Sequence, residues 1–383
     1  MKKNNRRNFI KTSAALTAAL SLGGKSTAIA ATDHHLKPRP SSGMKSIVKD
    51  AGMVMSEAFF WGPDERRIAF CRQMNVHGAV GGIMGSLAKD QNPWDPEAVK
   101  ATKQAWDQAG MKFNVVEGPP ALGNATKLAL PGRDEEISNF ITFMKNLKQY
   151  GEVEVICYNW MPAIGWYRTK KDDIGRAGAL VTSFDQALIK DLPDTEFGKV
   201  SKESLWANLE YFLKAVVPEA EKIGMKLAMH PDDPQIGSIR GISRIMTSVD
   251  NFKRMTQIVK SPYNGITMCQ GNFSLMGADI PKAIKQFDSL IHFVHFRNVR
   301  DLSGNKPSTK FEETFHDEGD IDMYAAMKAY YDIGFTGPIR PDHVPTMAGD
   351  SNDHAGYSNI GALYAFGYMR GLMQAVGNGK RMG

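Results

Sequence analysis

The chain is predicted to fold as one (β/α)8 barrel, an α/β architecture in which a parallel sheet closes on itself. Three observations carry that expectation. Short apolar runs alternate with longer amphipathic ones through most of the 383 residues, and eight strand candidates can be placed along them. Many of the helical stretches stop at a glycine shortly before the next strand. An open doubly wound sheet, the rival architecture, wants a glycine-rich nucleotide loop after its first strands. The nearest stretch, Gly81-Gly82-Ile-Met-Gly85, lacks both the lysine and the spacing.

The elements follow in order. Residues 1–30 read as a twin-arginine signal peptide: Arg6-Arg7 is followed by Phe9, Ile10 and Lys11, then by a small-residue apolar stretch over 12–24 and an Ala28-Ile29-Ala30 cleavage pattern. The apolar stretch is too short for a stable membrane span. Export by the twin-arginine route to the periplasm is therefore expected. Residues 31–45 are polar and proline-rich and read as a flexible tether, which leaves 46–383 as a single catalytic barrel. The leader also explains the formal charge of +6, because Lys2, Lys3, Arg6, Arg7, Lys11 and Lys25 fall within it and no acid does. The remaining chain is near neutral, so no nucleic-acid partner is implied. Nothing in the sequence excludes or specifies a homo-oligomer.

Strands are expected at 53–56, 78–83, 112–117, 153–158, 226–230, 265–269, 291–297 and 338–342. Helices are expected at 64–74, 96–110, 134–150, 202–223, 249–260, 281–287 and 322–333, with Gly110, Gly151, Gly224 and Gly334 as stops. Residues 159–200 form a long irregular excursion after the fourth strand, with Trp160, Trp166, Tyr167 and Arg168 near its start. Such loops at the carboxyl face of a barrel cover pockets.

Chemistry concentrates where the later strands end. In Lys226-Leu-Ala-Met-His-Pro-Asp-Asp-Pro the prolines halt the fifth strand at His230. Cys269, His295 and Asp342 stand at the ends of the next three strands. Each has a bland reading alone: a small core thiol, a hydrogen-bonded imidazole, a helix cap. Together, around one barrel opening, they form a ligand set for a borderline divalent ion such as Mn, Fe, Co, Ni or Zn. The three cysteines, Cys71, Cys157 and Cys269, are too few for a disulfide framework despite the exported context. Asp232 or Asp233 is placed to orient His230, and Asn298 or Arg297 flanks His295. His292 falls on the opposite face of its strand and is expected to be structural, and His316 is left between pocket and solvent.

Six ordered motifs make the pattern recognisable: Met229-His-Pro-Asp-Asp-Pro, Gly265-Ile-Thr-Met-Cys-Gln-Gly, Phe293-Val-His-Phe-Arg, Gly319-Asp-Ile-Asp-Met-Tyr, Arg340-Pro-Asp-His and Gly356-Tyr-Ser-Asn-Ile-Gly. With Trp61-Gly-Pro and Cys157-Tyr-Asn-Trp-Met-Pro they resemble the mannonate dehydratase family over most of residues 60–375. The resemblance implies a xylose-isomerase-like barrel that dehydrates D-mannonate to 2-keto-3-deoxy-D-gluconate with Mn or Fe(II). It implies metal ligands at His230, Cys269, His295 and Asp342, a catalytic tyrosine at Tyr357, and substrate-contacting arginines at Arg297 and Arg340. Tyr357, His343 and Asp233 are the candidates for proton transfer, and Asn159 joins the substrate-binding set. Arg340 has an equal alternative as a barrel-end salt bridge. The family's His-His-Ile-Pro stretch after the second strand is replaced here by Gly82-Ile-Met-Gly-Ser-Leu, and Pro345 stands where the family has a histidine. Two other functions fit the same residues: a periplasmic metal-dependent sugar isomerase or epimerase, and a non-catalytic sugar-acid binding protein.

Overall fold

A computed structural model describes residues 51–89 and 91–378 of the chain. The leader and tether expected over residues 1–45 lie outside the described residues. Eight parallel strands close into a barrel: β1 (Val54–Ala58), β2 (Gly78–Gly81), β3 (Lys112–Glu117), β4 (Val155–Tyr158), β5 (Lys226–Met229), β6 (Asn264–Cys269), β7 (Ile291–His295) and β8 (Pro338–Arg340). Each is followed by a helix on the outside: α1 (Glu65–Gln73), α2 (Pro96–Gln108), α3 (Arg133–Asn146), α4 (Lys202–Ile223), α5 (Val249–Ile258), α6 (Ile280–Phe287), α7 (Met323–Asp332) and α8 (Asn359–Asn378). The predicted (β/α)8 barrel is the observed one.

The strands are short and apolar because both of their faces are buried. Outward residues such as Ile156, Leu227, Met229, Met268 and Val294 pack into the main core shared with the helices. Inward residues Val80, Val115, Val155, Cys157, Ala228 and Phe293 form a separate cluster inside the barrel. Side chains alternate with period two along a strand. Two residues beyond Val115, Ala228 and Phe293 the inward positions are therefore Glu117, His230 and His295, at the carboxyl-end opening. These polar positions lie directly above the apolar cluster.

Helix α4 shows how local sequence fixes the outer ring. Ser201 caps its first turn by accepting from Ser204 N, and Leu205, Leu209, Phe212, Leu213, Val216, Val217 and Ala220 form one buried stripe. Each large member of such a stripe contributes roughly 1.5–3 kcal/mol on burial. The helix stops at Gly224, whose φ of +69° suits glycine. The stop expected at Gly151 works differently. There α3 runs on through a π turn, Leu147–Gly151, and Glu152 takes the left-handed conformation at φ +55°. Gly151 is instead a close-packing position, where a β-carbon would sit 2.9 Å from Leu147 Cδ1.

The excursion after β4 is not irregular. Lys170–Ile174 and Leu180–Asp185 form an antiparallel pair, joined by Lys310–Glu313 and Val299–Asp301 from the segment after β7. The charged run Lys170-Lys-Asp-Asp hides strand periodicity, and one partner lies far away in sequence. Hence the sheet escapes a local reading.

Candidate metal centre and adjoining cavity

Strand register brings the four candidate ligands together. Cys269 pairs with His295 across β6 and β7, and His295 pairs with Arg340 on β8. His230 is the first residue after β5, its N–H donating to Tyr158 O at 2.7 Å. Asp342 lies two residues beyond β8 with a left-handed φ of +70°. His230 Nε2 is 3.1 Å from His295 Nδ1, which is 3.5 Å from Asp342 Oδ2; that oxygen is 3.6 Å from Cys269 Sγ. The donor atoms of His230, Cys269 and His295 all lie within 4.8 Å of one another.

The orienting groups differ from those expected. His230 Nδ1 lies 2.7 Å from Pro231 O, so Nδ1 carries the proton and Nε2 faces the cluster bare. Asp232 is turned away, accepting from the N–H groups of Ile245 and Met246 at 2.8 Å. Asp233 is engaged by Arg168 and Arg297. His295 Nε2 lies between Glu117 Oε1 at 3.5 Å and Arg340 Nε at 3.1 Å, which hold the ring in place from behind. Asn298 binds the backbone carbonyls of His316 and Ile321. His316 is fully buried with Nε2 3.0 Å from Pro341 O, supporting the turn into Asp342. His292 spans the carbonyls of Leu227 and Pro262, the structural role its register predicts.

The charge balance fits a divalent cation. Burial opposes ionisation of Glu117, but Arg340 and His295 outweigh it and hold the carboxyl at about 2. Asp342 and Asp233 are likewise held far below the usual range, against burial, by His343 and Arg340 for the first and by Arg168 and Arg297 for the second. With Glu313, also lowered despite burial, the site has four carboxylates facing the three buried guanidiniums of Arg168, Arg297 and Arg340. Counting the thiolate that Cys269 must become on ligation, two negative charges remain. A divalent ion cancels them. The same field appears in the imidazoles: burial and His295 push His230 down to about 4, whereas Asp342 and Glu117 overcome burial and Arg340 to lift His295 to about 10.

Beside the cluster lies a cavity of about 210 Å³, lined among others by Phe60, Glu117, Asn159, Trp166, Arg340 and Tyr357. Tyr357 Oη is 3.1 Å from His343 Nε2, and His343 Nδ1 is 3.0 Å from Glu313 Oε1. Neither arginine is free to roam. Arg340 makes a paired contact to Glu117 at 2.8 and 3.1 Å and reaches Asp342 Oδ1 at 2.8 Å. Arg297 donates to Asp233 Oδ2 at 3.1 Å and lies 2.7 Å from His343 Nδ1. It threads past Gly271, where a β-carbon would sit 2.5 Å from its Nε. Of the two, Arg340 lines the cavity.

Comparison with known proteins bears on this geometry. A family profile for D-mannonate dehydratase (UxuA) matches residues 55–199 and 195–383. The chain belongs to the D-mannonate dehydratase family. Mannonate dehydratase 2 of Halalkalibacterium halodurans is 33% identical over 326 residues, covering 78% of this chain and 89% of that protein. The crystal structure of mannonate dehydratase from Streptococcus suis superposes with a TM-score of 0.74 at 31% identity, covering 85% and 95% of the two chains. A D-tagatose 3-epimerase-like protein shares the barrel alone, at a TM-score of 0.52 and 14% identity over 85% and 99% of the chains. A twin-arginine translocation signal profile matches residues 3–23, so the chain carries an export signal of that pathway. Among the described residues no helix is long and apolar enough to cross a membrane.

Membership in the dehydratase family makes this chain a hydro-lyase acting on a hexonic acid. All four candidate ligands expected from the strand ends reach one opening, while Glu117, Glu313 and the ion pairs of Arg168 are additions the structure makes. Glu117 carried a readable signal, since it follows inward Val115 by two and precedes Gly118-Pro119 at a strand end. Glu313 carried none, because it arrives on a strand of the covering sheet.

Proposed function

We propose that this protein removes water from D-mannonate to give 2-keto-3-deoxy-D-gluconate, in the periplasm, with Mn or Fe(II) as its metal. The observation that carries the reading is the convergence of one thiol, two imidazoles and one carboxylate at successive strand ends of a dehydratase-family barrel. His230 Nε2, Cys269 Sγ, His295 Nδ1 and Asp342 Oδ2 would hold the ion. When bound, the ion supplies Lewis-acid stabilisation of charge developing on the substrate carboxylate as its α-carbon loses a proton.

The protein's own residues handle the leaving group. Dehydration takes a proton from C2 and the hydroxyl from C3, and hydroxide departs poorly unless protonated. Tyr357 is the donor in this reading. Burial raises its phenol above the usual range, Arg340 only partly offsetting it, so the proton is present at neutral pH. His343 Nε2, on the same cavity, takes the C2 proton and passes it to the phenolate that Tyr357 leaves, with Glu313 3.0 Å from Nδ1, so the substrate's proton and hydroxyl depart together as water. Asp233, pinned between Arg168 and Arg297, has no proton to give and serves as a fixed negative charge. Arg340 and Asn159 face the cavity as substrate contacts, while Arg297 acts behind them by holding Asp233 and His343.

Metal-loaded protein incubated with D-mannonate and assayed for a 2-keto-3-deoxy acid tests the reading. Formation of that product is expected. Absence of product from mannonate and every related hexonate overturns it, and a product retaining all its hydroxyls makes the enzyme an isomerase. Fractionation of the native host, with the protein recovered in the periplasmic extract, tests the location.

A further inference from the structure

We infer that Lys127 is a specificity-positioning residue: it fixes the Asn159 side chain so that its amide NH2 is a dedicated donor to a substrate oxygen. The inference rests on the sugar-acid reading above and extends it to a residue outside the ligand cluster.

Lys127 sits on a short helix after β3, Asn124–Leu128, and is only 7% exposed. Its ammonium donates to Asn159 Oδ1 at 3.1 Å, its one hydrogen-bond acceptor among the described residues. No carboxylate there lies within ion-pair distance of it. The same Oδ1 accepts from Met161 N at 3.1 Å. An ammonium and a backbone N–H are both obligate donors, so the oxygen of Asn159 must face them. Its NH2 is left for the cavity that Asn159 lines, with no protein acceptor among the described residues.

The helix holding Lys127 is itself tied down. Asn124 Oδ1 accepts from Ala163 N at 2.8 Å, Asn208 donates to Lys127 O at 3.0 Å, and Glu136 accepts from Thr126 N at 2.7 Å. Burial lowers Lys127 to about 8 against the pull of Asp232 and Glu136, a cost retained for one hydrogen bond to an amide. What that bond secures is orientation. Without it, the Met161 N–H alone holds that oxygen, and the Asn159 amide is fixed by one donor instead of two. A site that pairs a buried substrate group discriminates strongly against analogues that cannot pair.

Lys127→Met, Lys127→Arg and Asn159→Asp test this in the metal-loaded full-length protein, with D-mannonate and other hexonates as probes. Lys127→Met is expected to raise KM, and the dissociation constant measured by calorimetry, about tenfold with kcat within about twofold. It should also flatten the preference among hexonates. Lys127→Arg should restore most of the affinity, and Asn159→Asp should lose it while keeping its volume. A Lys127→Met protein that binds and discriminates like the wild type overturns the inference while leaving the dehydratase reading intact. A parallel fall in kcat and melting temperature, unrescued by arginine, makes Lys127 merely structural and also overturns it. Wild-type protein that binds no hexonate sinks both readings together.

Discussion

Strands β5, β6 and β7 end at or beside His230, Cys269 and His295, and Asp342 follows two residues after β8. Across the opening, the end of β3 presents Glu117, and the segments after β1 and β4 present Phe60 and Asn159. One side carries soft and hard donor atoms within 3.1–3.6 Å contacts of one another. The other offers an aromatic ring, a neutral amide fixed from behind by Lys127, and a single carboxylate already claimed by Arg340. In the proposed reading the first half would stabilise charge and the second would read shape and hydroxyl pattern. The two sides meet at Arg340 on β8, which contacts both Asp342 and Glu117.

The sharpest way to break that division is to strike the ligand half. Cys269→Ala should leave a folded barrel without bound metal by elemental analysis, and should cut turnover by about 10³-fold or more. Full metal occupancy with undiminished turnover would move the ligand set elsewhere. Next in size, Tyr357→Phe should lower kcat about 10²- to 10³-fold while metal content and substrate affinity persist, as loss of a general acid demands. Retained kcat would transfer that role to His343 or another group.

Glu117→Gln probes the seam between the halves. It removes the charge facing His295 Nε2, and metal affinity in competition with a chelator should fall about 10- to 100-fold. An unchanged affinity would return Glu117 to a simple salt bridge with Arg340. The smallest effect is a slope with pH. Against burial and Arg340, Asp342 and Glu117 lift His295 from an ordinary value of 6.5 to about 10. A raised folded-state value stabilises fully below 6.5, and the contribution is lost as pH climbs toward 10. A bound ion displaces that proton, so the melting-temperature gap between loaded and stripped protein should widen across this window. A gap that narrows removes His295 from the ligand set.

The barrel was legible because each strand is a short apolar run and each helix carries its own punctuation. Period-two counting from Ala228 and Phe293 leads straight to His230 and His295. Glu313 and the partners of Arg168 were not legible. They meet through the covering sheet, whose strands pair residues 180–185 with 310–313. Long-range pairing of that kind leaves no spacing in the chain. Proline's carbonyl, which orients His230 in place of Asp232 or Asp233, is invisible for another reason. Backbone acceptors are the same at every position, so sequence cannot mark which one matters.

The left-handed backbone at Asp342 has a consequence for how this site tolerates mutation. At φ +70° most side chains cost roughly 1–2 kcal/mol, whereas aspartate, asparagine and glycine are accommodated. A mutational scan there should return a narrow spectrum of folded variants. Asparagine keeps the shape and deletes the charge; glycine keeps the fold and deletes both. Glutamate retains the carboxylate and strains the chain. The local conformation therefore separates the chemistry of the position from its architecture: the two substitutions the backbone accepts both remove the carboxylate.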